Sequence, residues 1–247
     1  MRAPILLAAA LAAALVGALG LAGQAAAAPA AGPLEARLAT YRQRVELLRD
    51  KDAVENLQAA YGFYVDKALW GEVADLFADS GSFEYGQMGV YVGKTHIRRA
   101  LLLFGKEGPE AGKLNNYMQL QSVIHVAPDG HTAKARWQSI IMLGSANASG
   151  QWGLGVYENE YVKDRGVWKI ARLHYYLTAV TDYDLGWGKS AIPMQGQSGA
   201  VPPDKPPTEI YRSYPGAYVP PFDYPHPVTG EPIAIPQPPD TVMGRKP

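Results

Sequence analysis

The sequence predicts an α+β domain in which a curved sheet is closed by helices around a pocket. Three observations carry this. Apolar residues recur at helical spacing through Tyr61–Phe77, with Trp70, Val73, Ala74, Leu76 and Phe77 forming a second helical stripe. After Asp79-Ser80-Gly81 the pattern changes to a short aromatic strand, Phe83-Glu84-Tyr85. Four longer segments with period-two alternation then follow between Tyr117 and Leu177, joined by turn residues. A single acid, Asp66, lies at the joint between the two helices.

The 247 residues carry a formal net charge of zero, which leaves no electrostatic footprint for nucleic acid or an acidic membrane. There is no cysteine, so disulfides, thiol nucleophiles and Cys-ligated metal are excluded. At the start, Arg2 precedes an apolar run from Ile5 to Leu21 and then Gln24-Ala25-Ala26-Ala27-Ala28-Pro29. That order reads as a secretory signal over residues 1–28, placing the mature protein in the periplasm or outside the cell with no stable membrane insertion. The competing reading is a retained anchor, for which the apolar run is barely long enough.

Leu34, Leu38, Tyr41, Val45 and Leu48 repeat at steps of three and four and predict an amphipathic helix over residues 33–51, beginning just after Pro33. It would lie on its own domain or on a neighbouring subunit, making a homo-oligomer. Residues 52–187 form the pocket-bearing domain. Asp52 is read as the N-cap of the next helix, with Glu55 completing a capping box and Val54, Leu57, Tyr61 and Tyr64 as the buried stripe. On an unbroken helix Asp66 would point away from that stripe, so it faces inward only if the helix ends near Val65 and the chain bends. Otherwise it is a cap for the Trp70 helix or a solvated side chain.

Ser82–Tyr85 and Met88–Val92 read as a hairpin across Gly86-Gln87, and Thr95 as the cap of a helix with Ile97, Leu101 and Leu102 inward. The four strands that follow are Tyr117–Val126, Thr132–Leu143, Gln151–Lys163 and Val167–Leu177. Alternation places Ala133, Ala135, Trp137, Ser139, Ile141 and Leu143 inward, and groups Gly155, Tyr157, Asn159 and Tyr161 on one face. In the last strand Trp168, Ile170, Arg172, His174 and Tyr176 alternate, unless a bulge exchanges the faces beyond Ile170. Residues 188–247 shift to Pro and Gly with scattered tyrosines. They read as an extended arm wrapping their own domain or a neighbour, or as a partly ordered surface strap.

Helix, helix, hairpin, helix and four meandering strands, with Asp66…Trp70…Leu76-Phe77-Ala78-Asp79, Val92-Gly93-Lys94…Ile97 and Gly155…Tyr157…Gly166-Val167-Trp168-Lys169-Ile170, resemble the SnoaL-like group of the nuclear transport factor 2 superfamily. The resemblance covers about residues 52–177. It implies a cone of curved, mostly antiparallel sheet packed with three helices, to which this chain adds an N-terminal helix and a C-terminal arm. It also implies cofactor-independent lyase (dehydratase or deformylase) or isomerase chemistry on a small hydroxylated aromatic or polycyclic molecule. The alternative is a non-catalytic member that binds a hydrophobic ligand or serves assembly.

By comparison with scytalone dehydratase, Asp66 and Tyr85 match a pocket acid and tyrosine. That enzyme's two histidines fall near Met118 and Leu143 here, and its asparagine near Tyr157. An acid–base group must then come from elsewhere. His131 and His226 sit in a turn and the tail, and His96 and His125 suit the surface. His174 is the candidate, with a positioned imidazole worth about 10²–10⁴-fold. The expected catalytic set is therefore His174, Asp66 and Tyr85, with Tyr64, Tyr157, Asn159, Trp137 and Met118 binding substrate. No His pair stands at metal spacing, no Gly-rich phosphate loop follows a strand, and there is no Gly-x-Ser-x-Gly elbow.

Overall fold

The computed structural model describes residues 33–237. The signal read at residues 1–28 lies outside the described residues. Two compact units divide the chain, Met1–Tyr41 and Arg42–Pro247. The described part of the first is the opening of a helix, where Leu34, Leu38 and Tyr41 are all exposed.

That helix, α1, is continuous over Leu34–Asp66, where two helices are expected from the sequence. Between Leu34 and Tyr61 there is no proline or glycine to interrupt it. Asp52 consequently sits exposed in mid-helix and caps nothing. Val54, Gln58, Tyr61 and Val65 form the buried stripe. Gly62 allows the closest approach to the sheet, because a Cβ there would lie 3.1 Å from the Tyr117 carbonyl oxygen. The chain does turn where Asp66 required it. Lys67 and Leu69 both donate to the Tyr64 carbonyl, and Ala68 takes a left-handed conformation at φ 50°.

A short helix α2 (Trp70–Asp75) leads into β1 (Phe77–Tyr85), which begins earlier than the Ser82 expected and has a bulge between Phe77 and Ser82. Then come β2 (Val90–Val92), α3 (Lys94–Leu101) and a 3-10 turn over Leu102–Phe104. Gly93, at φ 82°, opens α3 in place of the predicted Thr95 cap. The meander is β3 (Lys113–Val126), β4 (Thr132–Ser145), β5 (Ser149–Asp164) and β6 (Val167–Asp182). Every one of these strands runs past an end predicted for it. Sheet order is β2-β1-β6-β5-β4-β3, antiparallel throughout except for the parallel β1–β6 pair. Trp70, Phe77, Phe83, Ile97, Leu101, Ile170 and Leu173 fill the space between the helices and the sheet's inner face.

Two bulges in β6 decide which side chains enter that space. Tyr161 pairs with Ile170 but Glu160 with Arg172, leaving Ala171 extra; Gly155 pairs with Leu177 but Leu154 with Ala179, leaving Thr178 extra. Past Ala171 the faces exchange. Leu173, Tyr175 and Leu177 turn inward, and Arg172, His174 and Tyr176 turn outward.

Up to residue 237 the tail lies as an arm on its own domain. Ile192 N–H donates to the Val180 carbonyl, Asp204 accepts from Val92 N–H, and Lys205 bridges to Val90. The arm then crosses the outer face. The Tyr211 hydroxyl accepts from Leu177 N–H (2.8 Å) and Tyr214 N–H donates to the Thr178 carbonyl (2.7 Å), so the backbone groups released by the second bulge are satisfied by the arm. Further on, Arg136 donates to the Pro220 and Pro221 carbonyls and lies 3.7 Å over the Phe222 ring. No helix among the described residues is long and apolar enough to cross a membrane.

Candidate functional site

A cavity of about 570 Å³ opens at the end of the sheet where β1, β3 and β6 meet the Phe104 turn. Tyr85, Phe104, Tyr117, Leu143 and Leu177 line it together with Asn115, Gln151 and the charged Lys106, Glu110 and Lys113. The loop after the 3-10 turn is pinned to the helix joint. Trp70 Nε1–H donates to the Gly105 carbonyl (3.0 Å) and Gly108 N–H to the Ala68 carbonyl (2.9 Å), so the Phe104 wall is held in place.

Behind Tyr85 the interior is a stack of phenols. Tyr85 lies against Tyr175 with ring centroids 4.5 Å apart, Tyr175 is 4.6 Å from Tyr157, and Tyr61 meets Tyr157 edge-on at 5.8 Å. Gly155 is what lets this happen: a Cβ there would sit 2.2 Å from the Tyr175 hydroxyl. Burial raises every one of these phenols, Tyr157 to about 12, and Tyr61, Tyr85, Tyr117 and Tyr175 as well. They are uncharged donors at neutral pH. The Ser139, Tyr157 and Tyr175 hydroxyls are fully buried; Ser139 sits close enough to both phenols to hold their pKa values down, yet none of the three reaches a partner in hydrogen-bond geometry among the described residues.

Asp66 lies beside this cavity and not in it. Its Oδ1 accepts the Tyr117 N–H at 2.6 Å, satisfying an outward-facing donor of the border strand β3. With Met118, Phe63 and Gln119 it lines a separate groove of about 290 Å³, and Tyr117 contributes to both spaces. Burial raises the Asp66 pKa, against the Tyr117 N–H and Lys67, which lower it.

His174 is on the other side of the sheet. The expectation that it shares a cavity with Asp66 is corrected by the Ala171 bulge, which turns the side chain outward beneath the arm. There the imidazole is 1% exposed, stacks on Tyr176 at 3.9 Å, and has Nδ1 3.6 Å from Glu84 Oε2 and 3.4 Å from Arg172. Burial, with the Arg172 charge, drives its pKa down to about 3, so it stays neutral. Around it Glu84 accepts from the Thr208 N–H and hydroxyl, Glu158 pairs with Arg136, and Arg172 reaches Glu160 and Asp223. This is a polar layer between sheet and arm.

The other expected residues divide. Tyr85 lines the cavity, and Tyr157 stands two rings behind it. Asn159 is held in a buried network, donating to Gln58 Oε1 (3.0 Å) and the Tyr161 hydroxyl (3.1 Å) and accepting from His174 N–H, with both donors used and the residue out of reach of the cavity. Trp137 Nε1–H donates to the same Tyr161 hydroxyl, and its ring is core. Tyr64 is half-buried at the end of α1 and lines none of the cavities described. Tyr117 and Tyr175 were missed. Tyr117 was legible as the first residue of a predicted strand, and Tyr175 was concealed by the bulge. No group of three or more His, Asp or Glu suited to a metal ion occurs among the described residues.

Three solved structures show what the chain is similar to. A protein named provisionally as a scytalone dehydratase, from Novosphingobium aromaticivorans, is 20% identical, with 63% of this chain and 97% of that one covered and a TM-score of 0.49. A type 2 hexachlorocyclohexane dehydrochlorinase, LinA, is 17% identical over 56% of this chain and 92% of its own, also at 0.49. An NTF2-like protein with a cystatin-like fold from Novosphingobium aromaticivorans is 18% identical over 57% and 89%, at 0.43. No curated protein matches the sequence. The family model of the SnoaL-like domain matches residues 46–174, more than half of the 247. The chain therefore belongs to the SnoaL-like domain family.

Proposed function

We propose that the cone binds a small hydroxylated aromatic or polycyclic molecule in the Tyr85–Tyr117 cavity. The observation that carries this is the cavity itself: about 570 Å³, with an aromatic and aliphatic side at Tyr85, Phe104, Tyr117 and Leu177 and a polar side at Lys106, Glu110, Lys113 and Asn115, so that it can hold a ring and orient its oxygens. Neutral phenols suit a ligand bearing hydroxyl or carbonyl oxygens. Because His174 faces the arm, no imidazole–carboxylate pair lines this cavity among the described residues, which favours binding over proton-transfer chemistry.

A second reading is a cofactor-independent lyase or isomerase, the activity that the family resemblance suggests. The raised Asp66 carboxyl favours it: it lines the smaller groove with Met118 and Gln119, where a carboxylate of elevated pKa can accept a proton from a substrate bound there and return it to a leaving hydroxyl. Residues 1–28 would direct export, so either activity would be exercised in the periplasm or outside the cell.

Titrating the purified mature protein with aromatic diols and polyketide alcohols, by intrinsic fluorescence and by mass, tests both readings. Saturable quenching supports the site, and its absence across the panel refutes it. Loss of water or formaldehyde from a ligand supports the lyase. Asp66→Asn keeps an acceptor for the Tyr117 N–H while removing the proton acceptor, so unchanged turnover in that variant would eliminate Asp66 chemistry and leave binding intact.

A further inference from the structure

The arm does more than cover the outer face. Before it reaches that face, residues 192–195 run along the cavity, and Ile192, Pro193, Met194 and Gln195 belong to its lining. The path is fitted to the β1–β2 hairpin. At Gly86, φ 54°, a Cβ would sit 2.7 Å from Met194 Sδ; at Gly89, φ 87°, it would sit 2.6 Å from Pro203. Both glycines adopt left-handed conformations that also leave room for the arm. The segment is fastened on either side, by Ile192 N–H to Val180 and by the Val90–Lys205 bridge with Asp204 holding Val92 N–H at 2.8 Å. Met194 itself packs against the core opposite Leu177, half-buried between hairpin and cavity.

We infer that Met194 is a specificity-determining residue: seated on Gly86, it limits how large a fused-ring ligand the Tyr85–Tyr117 cavity admits. The inference rests on the binding reading above and adds the arm to the site. A thioether contacts aromatic rings well, and although a methionine stem is flexible, the seat on Gly86 and the fastened arm on either side restrict where it can move. The class of ligand follows from the wall. A planar molecule would lie against the aromatic side of the cavity, and each additional ring would have to be accommodated at Met194.

The test compares naphthol and hydroxypyrene, titrated separately against the full mature chain by calorimetry. Met194→Ala should shift the affinity ratio toward hydroxypyrene by at least about tenfold, the discrimination expected from removing several heavy atoms from an apolar wall. Met194→Leu, of similar volume, should leave the ratio near wild type. Thermal melts of each variant confirm folding. If wild type binds either probe and the ratio is the same in Met194→Ala, the inference is overturned while the site stands. If folded wild type binds neither probe, the binding reading falls and takes the inference with it.

Discussion

Replacing His174 with glutamine should change how the protein responds to acid. The imidazole is 1% exposed and is faced by Glu84 and Arg172, by Tyr176 on its own strand and by Glu158 on β5. The Glu84 carboxylate at 3.6 Å would favour an imidazolium, but burial and Arg172 act the other way and lower the pKa from 6.5 to about 3. A histidine held neutral in the folded state stabilises fully above the unfolded value of 6.5 and loses that contribution as pH falls toward 3. At about 1.4 kcal/mol per unit once the unfolded imidazole is protonated, acidification from pH 6.5 to 4.5 costs wild type about 2 kcal/mol through this one group. Glu158 carries the opposite sign. Burial raises it from 4.5 to about 7 despite Arg136, so its contribution grows as pH falls through that window. Urea unfolding at pH 7 and pH 4.5 measures the difference. His174→Gln should be more acid-tolerant than wild type by a few kcal/mol, and Glu158→Gln less so. Identical pH responses in His174→Gln and wild type would refute the reasoning, because they would mean that folding leaves the imidazole pKa unshifted; a variant less acid-tolerant than wild type would instead show an imidazolium paired with Glu84.

Gly155→Ala should destabilise by about 1–3 kcal/mol or more, as its Cβ would meet the Tyr175 ring and hydroxyl at 2.2 Å; chemical denaturation measures this. Tyr175→Phe should leave the melting temperature unchanged or raised, since the hydroxyl it removes is buried without a partner. A clear loss of stability would instead show a bond to Ser139 or to an internal water. Asp66→Ala should cost roughly 1–3 kcal/mol, because the Tyr117 N–H is left without its acceptor, whereas Asp66→Asn should recover most of that.

Most of the fold is legible because its signals are local. Period-two runs from Tyr117 to Leu177 and the turn residues between them mark β3–β6, and the Tyr61–Phe77 stretch marks the passage from helix to sheet. The single α1 was less so. Asp52 and Glu55 look like a capping box, but with no proline or glycine nearby the helix continues through them. The candidate site was only partly legible, and the reason is parity. One extra residue at Ala171 reverses the face of everything downstream, exchanging Tyr175 for His174, and nothing in the residue itself announces a bulge. The contribution of Met194 was beyond local reasoning, since it depends on where a long proline-rich segment comes to rest.

The arm's single bridge to Val90 also bears on how the molecule behaves at high concentration. β2 is the last strand of the sheet on its side, and without Lys205 beside it would offer open donors and acceptors to any passing chain. Pro202, Pro203, Pro206 and Pro207 flank Lys205, and none of them has an N–H to extend the ladder outward. The arm thus pairs once and then refuses a successor. A chain clipped before it would present a bare β2 edge to its neighbours, whereas the intact arm covers that edge with a segment whose prolines do not carry the ladder further.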